Sequence, residues 1–330
     1  MVGLGLVALL AIWLVINLIK DPSLFFDVML AGVTIGAVYG LIALGYTLVY
    51  GILQLINFAH GDVFAVSGLM ASTALVSFFG MNDSSTAAGI GLAVLGTLAI
   101  AMAFGSTVNV LVELIGYRRL RNAPRLAPLI TAVGMSFILQ NVGLLGWGVD
   151  YRSTPRLISN STAFSIGGVS FEWNKLVVLA ITAPVLAGMT WLVKSTRQGK
   201  AMRATSQDPD ASAMMGINVN RTISFTFALA GALAGAGGVL YVLELTTIRY
   251  DQGFQVGLIA FTAAVLGGIG NLTGAVVGAL VIGLIQQFNE GLTWHSPGSD
   301  WTQSIVFGIL IVILVFRPEG LLGERTPEGA

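Results

Sequence analysis

Long uncharged runs dominate this chain, and their length decides what it can fold into. A bilayer's hydrocarbon core takes about 20 consecutive apolar residues as a helix. Runs near or above that length occupy Val2–Ile19, Val28–Tyr50, Asn57–Phe79, Ala87–Ile115, Leu126–Gly148, Leu176–Val193 and Thr222–Leu245. Two shorter pieces, Phe254–Gly267 and Leu272–Gln286, precede a last run at Gln303–Phe316. Charged residues are 10% of the chain, against roughly 25% in soluble domains, too few to coat a water-soluble globule. The sequence therefore predicts an all-α polytopic integral membrane protein, one transmembrane domain over residues 1–330. It should have about eight full spans plus a helix pair broken at Gly267-Gly268-Ile269-Gly270-Asn271. Irregular backbone at membrane depth must lie against protein or water; otherwise the break is an interhelical turn near a surface.

Sixteen basic residues balance sixteen acidic ones, so no net field recruits nucleic acid. Cysteine is absent, which removes disulfides, thiolate chemistry and Cys-ligated metal. The first run lacks a basic n-region and an obvious cleavage site, and reads as a retained helix. Lys and Arg set the orientation. Arg118, Arg119, Arg121 and Arg125 crowd one loop, and Lys194, Arg197, Lys200, Arg203 and Arg221 another, two spans later. Both are expected in the cytoplasm with the N- and C-termini, the latter marked by Arg317 and Arg325. Gly80–Thr86, Gln287–Thr302 and a long external loop, 149–175, are expected outside.

Glycines at four-residue spacing (Gly32, Gly36, Gly40; Gly231, Gly235; Gly270, Gly274, Gly278) line helix faces that let a neighbouring backbone approach closely. The polar stretch Ser195–Arg221 has a sharper design. Asp208 before Pro209 signals a helix start, since Asp caps free N–H groups and proline fits the first helical position. Gly216 supplies the stop. Between them Ala211, Met214 and Met215 form a small apolar face, preceded by basic Arg203. A short helix capped at both ends suits docking of a protein partner. The alternative is a helix lying on anionic headgroups, which Asp208 and Asp210 count against.

At this stretch the chain resembles a known family. GKAMRATSQDPDASAMMGINVNR (199–221), GYTLVYGILQLINFAHGDVFAVSG (45–68), AAVLGGIGNLTGAVVGALVIG (263–283) and the closing FRPEGLLG (316–323) are similar to the LivH-type permease subunits of branched-chain amino acid ABC importers. The resemblance covers roughly residues 28 to 323. It implies a membrane pathway built with a second related permease subunit, two cytoplasmic ATPase subunits and an external substrate-binding protein, in a bacterial-type inner membrane. It also implies that 195–221, including Gly199, Arg203, Asp208, Pro209, Ala211, Met214, Met215 and Gly216, is the coupling segment on the ATPase. The family includes permeases assigned to urea and short amides, so that cargo class stays open beside branched-chain amino acids. ATP would be used by the partner ATPase and no cofactor held directly, since the sequence has no G-x-x-x-x-G-K-[ST] phosphate loop.

Polar groups within apolar runs are costly and mark sites to test. Asn57, His60 and Asp62 cluster at the start of the third run, where they either cap a broken helix or gate substrate. Gln140, in the fifth run, bonds another helix or lines the path. Gly268 and Asn271 mark the glycine break, a second place for an inner gate. Glu113 and Glu244, near run ends, are expected to reach water. His60 and His295 are the only histidines, far apart in sequence, and no nucleophile–base set or metal motif appears. An intramembrane enzyme is disfavoured. A passive channel would need no docking helix, and a secondary transporter would respond to an ion gradient.

Overall fold

A computed structural model describes residues 2–82, 85–121, 123–124, 126–166 and 168–323. Arg125 and Arg325, used above for orientation, lie outside them. The chain is helical nearly throughout. α1 (Val2–Lys20) and α2 (Pro22–Leu53) meet at Asp21, whose carboxylate accepts from the Leu24 N–H, with Pro22 beginning the helix. The second helix thus starts well before the expected Val28, at an Asp-Pro signal of the same kind as Asp208-Pro209. α3 (Ala59–Thr73) continues through a π turn at Ala74–Phe78, and α4 (Ala87–Val112) through a π turn at Glu113–Tyr117 and a 3-10 turn at Arg118–Leu120. α5 is Leu126–Trp147.

The long loop carries β1 (Arg152–Ser153) and a hairpin of β2 (Thr162–Ile166) with β3 (Val169–Glu172). Then come α6 (Trp173–Ser195), α7 (Arg197–Gln207), α8 (Pro209–Met214) and α9 (Val219–Leu245). β4 (Thr247–Ile248) pairs antiparallel with β1. The chain closes with α10 (Gln252–Gly267), α11 (Leu272–Gly291) and α12 (Thr302–Phe316).

Among the described residues eight helices are long and apolar enough to cross a membrane. The total matches expectation, and its membership shifts. In the glycine-broken pair α11 reaches spanning length with 20 residues, whereas α10 has 16.

α2, α3 and α9 form the buried centre, and α4, α5, α6 and α12 turn broad apolar faces outward. Lipid is as apolar as leucine, so close backbone approach has to hold such helices together. α4 and α9 run antiparallel with Gly105 against Gly231; a Cβ on Gly235 would lie 2.2 Å from the Ala101 carbonyl oxygen. Gly32 and Gly36 of α2 receive α11 in the same way, at Leu284 and Ala279–Leu280, while Gly40 has ordinary clearance. Gly274 and Gly278 pack on Gly267 and Ala263 of α10. Gly270 departs from its expected series: it sits in the α10–α11 turn at φ +95° with open space around it.

Hydrogen bonds show which loops share an end of the bundle. Arg121 joins Asn220 at the start of α9, Lys194 joins Thr273 at the start of α11, and Asn271 donates to the Leu322 carbonyl after α12. Both basic loops, the glycine break and the tail therefore lie at one end, called here the basic end. The β-strands, the Asn174–Glu244 bond and the Trp294 contacts with Asn17 lie at the other.

The glycine break is a clasp. The N–H groups of Leu321 and Leu322 bond the carbonyls of Leu266 and Gly267, satisfying C-terminal groups that α10 leaves free. Asn271 caps α11 through the Gly274 N–H. Gly268, at φ +107°, is buried, and a Cβ there would meet Gly323 N at 2.5 Å. The expected gate position is thus a seat for the tail. Gly268→Ala should cost about 1–3 kcal/mol through its backbone conformation alone and more through the clash. The expected result is a lower thermal midpoint in detergent and protease cleavage within 317–323; an unchanged midpoint would refute the clasp.

Candidate functional site

At the basic end, α7 and α8 form a bracket outside the spans. The Thr196 hydroxyl accepts from the Gly199 N–H to start α7, directly after α6 ends. Gly199 is buried there, and a Cβ would lie 2.1 Å from the Val193 carbonyl oxygen. Arg203 also donates to that carbonyl. These two expected coupling residues therefore fold α7 back over the end of α6. α8 follows the expected design closely: Asp208 accepts from the N–H groups of Asp210 and Ala211, Pro209 is the first helical residue, and Gly216 follows at φ +83°. Ala211 is half-buried and Ser212 buried. Met214 and Met215 stand free, 82% and 83% exposed. A groove of ≈ 790 Å³ beside this bracket is lined by Gln198, Ala201, Ile217, Arg221 and Phe225, among others.

Deeper in the bundle the expected cluster is assembled from α3, α4, α5 and α9. The Asn57 amide donates to Asn109 Oδ1 (3.3 Å), its oxygen accepts from the Tyr117 hydroxyl (3.1 Å), and Asn109 donates to the Phe227 carbonyl (2.7 Å). α3 begins without a side-chain cap, so Asn57 caps nothing and instead ties α3 to α4. Asp62, fully buried, accepts from Ser136 of α5, which accepts from Gln140 (3.3 Å). His60 is also fully buried; its ring fills the hollow at Gly45 and lies edge-on to Tyr46 at 4.8 Å.

Asn57, His60, Asp62 and Gln140 are thus brought into one region, and Gly268 and Asn271 lie apart from them in the clasp. Asn57 and Asn271 both spend their polar groups on bonds within this chain, so neither offers a free group to a passage in this conformation. Gln140 is half-buried and Asn141 exposed. An exposed amide within a spanning helix is unfavourable against lipid, which marks this side of α5 as facing protein or water.

Glu113 departs from expectation. Its side chain has no exposure; Arg118 reaches it at 3.0 Å, Arg121 forms a second ion pair with it, and Ser224 of α9 donates to it (2.8 Å). The π turn that starts at Glu113 turns the carboxylate toward α9 instead of solvent. Burial lowers the Arg121 pKa, and the charge of Glu113 opposes that shift. The reading of the sequence missed Asn109, Tyr117, Ser136 and Ser224. Asn109 carried a signal, a carboxamide inside an apolar run; hydroxyls gave none, because they bond helix carbonyls so readily. Among the described residues no group of three or more metal-ligating side chains occurs.

Comparison with known proteins adds an independent observation. A family model described as branched-chain amino acid transport system / permease component matches residues 28–315. The chain is 36% identical over 300 residues to the high-affinity branched-chain amino acid transport system permease protein BraD of Pseudomonas aeruginosa, covering 90% of this chain and 95% of that one. To the corresponding permease protein LivH of Escherichia coli K12 it is 34% identical over 310 residues, covering 92% and 97%. A more distant relative, the galactose/methyl galactoside import permease protein MglC of the same strain, is 25% identical over 325 residues, covering 94% and 92%.

The buried ion cluster makes a direct prediction. Glu113→Ala strands Arg121, whose side chain is 17% exposed, and breaking a buried pair in this way costs about 3–5 kcal/mol. Thermal unfolding in detergent should show a large loss, partly recovered when Arg121 is also replaced by Met. Wild-type stability in the single variant would show that the cluster bears no load.

Proposed function

The chain belongs to the branched-chain amino acid transport permease family, and on that premise we propose that it is the membrane-spanning subunit of an ATP-driven importer of branched-chain amino acids. It works in a bacterial inner membrane beside a second related permease subunit. Two cytoplasmic ATPase subunits supply the energy, and an external binding protein delivers the cargo. This chain does not itself hydrolyse ATP.

The observation that carries the reading is α8. A six-residue helix pinned by the Asp208 side chain and closed by Gly216 presents Met214 and Met215 to solvent, outside the spans. Methionine is flexible and polarizable, suited to adaptable protein contacts. The bracket is joined rigidly to the bundle through Gly199 and Arg203, and the Glu113 cluster braces α4 against the start of α9 nearby. A push on α8 is thereby transmitted to α6 and α9 together. The basic residues around the bracket support a cytoplasmic position by the positive-inside rule. The cargo route follows the side of α5 that carries Gln140 and Asn141, where polar groups within a span favour a neighbouring subunit or water over lipid.

Two measurements test this. Asp208→Ala should cost about 0.5–2 kcal/mol of helix stability, and Met214→Asp with Met215→Asp should abolish capture of the ATPase subunits in pull-down while leaving membrane insertion unchanged. Normal capture by the double variant would refute the docking role of α8. Reconstituted with its partners, the protein should accumulate leucine, isoleucine and valine only with ATP and binding protein present. Uptake by this chain alone would favour a channel, and transport of urea or short amides instead would reassign the cargo.

A further inference from the structure

After α9 the chain turns back into the bundle. Thr246 ends the helix at φ +58°, and β4 pairs with β1. Ile248 is fully buried, with its Cδ1 against Gly68 of α3, which also meets Gly238 of α9. Gly238 precedes the end of α9 by about two turns, so the Ile248 side chain reaches back into the bundle alongside α9. Tyr250 packs on Gly143 of α5, and Gly253, in the first turn of α10, packs on Gly61 and Asp62. α10 therefore begins within the bundle, which accounts for its shortness.

Two opposite charges flank Tyr250 on this inward turn. Arg249 Nε and Nη2 donate to the two oxygens of Asp251, both at 2.6 Å. Unlike the Glu113 cluster, this pair stays accessible on both sides, 35% and 34% exposed. The guanidinium stacks over Tyr151 at 4.8 Å. Tyr151, brought to the pair from the loop after α5, is itself exposed, as is Phe254 three residues beyond Asp251. Asp251 stands at the N-cap position of α10, yet its carboxylate bonds no N–H of that helix and is given to Arg249 instead. Both side chains are reached by solvent, so the pair can change partners at little desolvation cost.

We propose that Arg249 and Asp251 form a station for a zwitterionic cargo at the end of the bundle opposite α8, the guanidinium taking the cargo carboxylate and Asp251 its ammonium. The inference rests on the amino-acid importer reading above. A guanidinium fork matches a carboxylate in bidentate fashion. The two charges of an α-amino acid are as closely spaced as those of the pair, so one cargo molecule engages both. When the station is empty the pair satisfies itself and leaves no unpaired charge. When cargo arrives, one internal pair is exchanged for two external ones, a near-balanced trade that captures without trapping. A neutral amide has no charge to offer in that exchange, which makes the station a filter for zwitterions.

The test uses the full transporter in proteoliposomes, with its ATPase and binding-protein partners free of cysteine. This chain has no cysteine, so Tyr151→Cys places a lone thiol beside the intact pair. Millimolar L-leucine should slow its modification by a methanethiosulfonate reagent, and isovaleramide, an uncharged analogue, should not. The same protection should vanish in Arg249→Gln and in Asp251→Asn backgrounds. In the native-thiol-free chain, either single variant should lower ATP-driven leucine uptake about tenfold, the scale of one charge-assisted hydrogen bond, with basal ATPase activity retained. Equal protection by both compounds, or none by either, overturns the station even where wild-type leucine uptake is normal. Absence of wild-type leucine uptake overturns the importer reading itself, and the station with it. If a variant fails to assemble, protection of the Tyr151→Cys thiol beside the unaltered pair still decides.

Discussion

Backbone contact between glycine-faced helices is the constraint on which the rest of this structure depends. Water drives apolar helices together in a soluble protein, and a bilayer supplies no such force between them. Here α4 meets α9 through Gly105, Gly231 and Gly235, α2 meets α11 through Gly32 and Gly36, and α10 meets α11 through Gly267, Gly274 and Gly278. α3 and α10 approach through Gly61, Gly253 and Gly257. A methyl group at most of these positions would overlap a neighbouring main chain. Such surfaces pack closely in the arrangement the structure shows.

Polar side chains then fix register where smooth packing would allow sliding. The Asn57–Asn109–Tyr117 bonds tie α3 to α4, the Gln140–Ser136–Asp62 chain ties α3 to α5, and Glu113 with Arg118, Arg121 and Ser224 ties α4 to α9. Each lies between elements that the α6–α7–α8 bracket or the inward turn before α10 also touches. The ATPase-facing reading of α8 and the cargo-facing reading of α5 therefore concern one connected bundle. The ion cluster holds the basic end rigid, while the accessible Arg249–Asp251 pair at the other end has the freedom to exchange partners.

Much of this was legible in the residues themselves. The apolar runs located the long helices to within a few residues, except where Asp21-Pro22 started α2 early. The Asp208-Pro209 and Gly216 signals described α8 because caps act over three or four residues and need no distant partner. The residues of the polar cluster do stand together in the bundle, and the bonds they make could not be read from the sequence. Asn57 and Asn271 are spent on internal bonds, Gly268 seats the tail, and Glu113, expected to reach water, is buried against two arginines. For Asn57, Gly268 and Asn271 the deciding partner lies far away in sequence, at Asn109, Gly323 and Leu322, whereas the arginines on Glu113 are five and eight residues away and a local π turn, with Ser224 of α9, brings them together.

By itself, then, the sequence determined the solvent this protein folds in, its long apolar spans, the shared end of its basic loops and the capped short helix α8. Those properties follow from hydropathy, charge position and local backbone chemistry, all of which are short-range. Only the tertiary structure decided which glycines are buried in contacts, what the intramembrane carboxylates bond, and that the chain between α9 and α10 turns inward carrying an ion pair. Nothing in the short polar stretch 246–251 signals that it is internal. Its depth is set by Gly68 and Gly143, which leave room for Ile248 and Tyr250 on helices more than a hundred residues earlier in the chain.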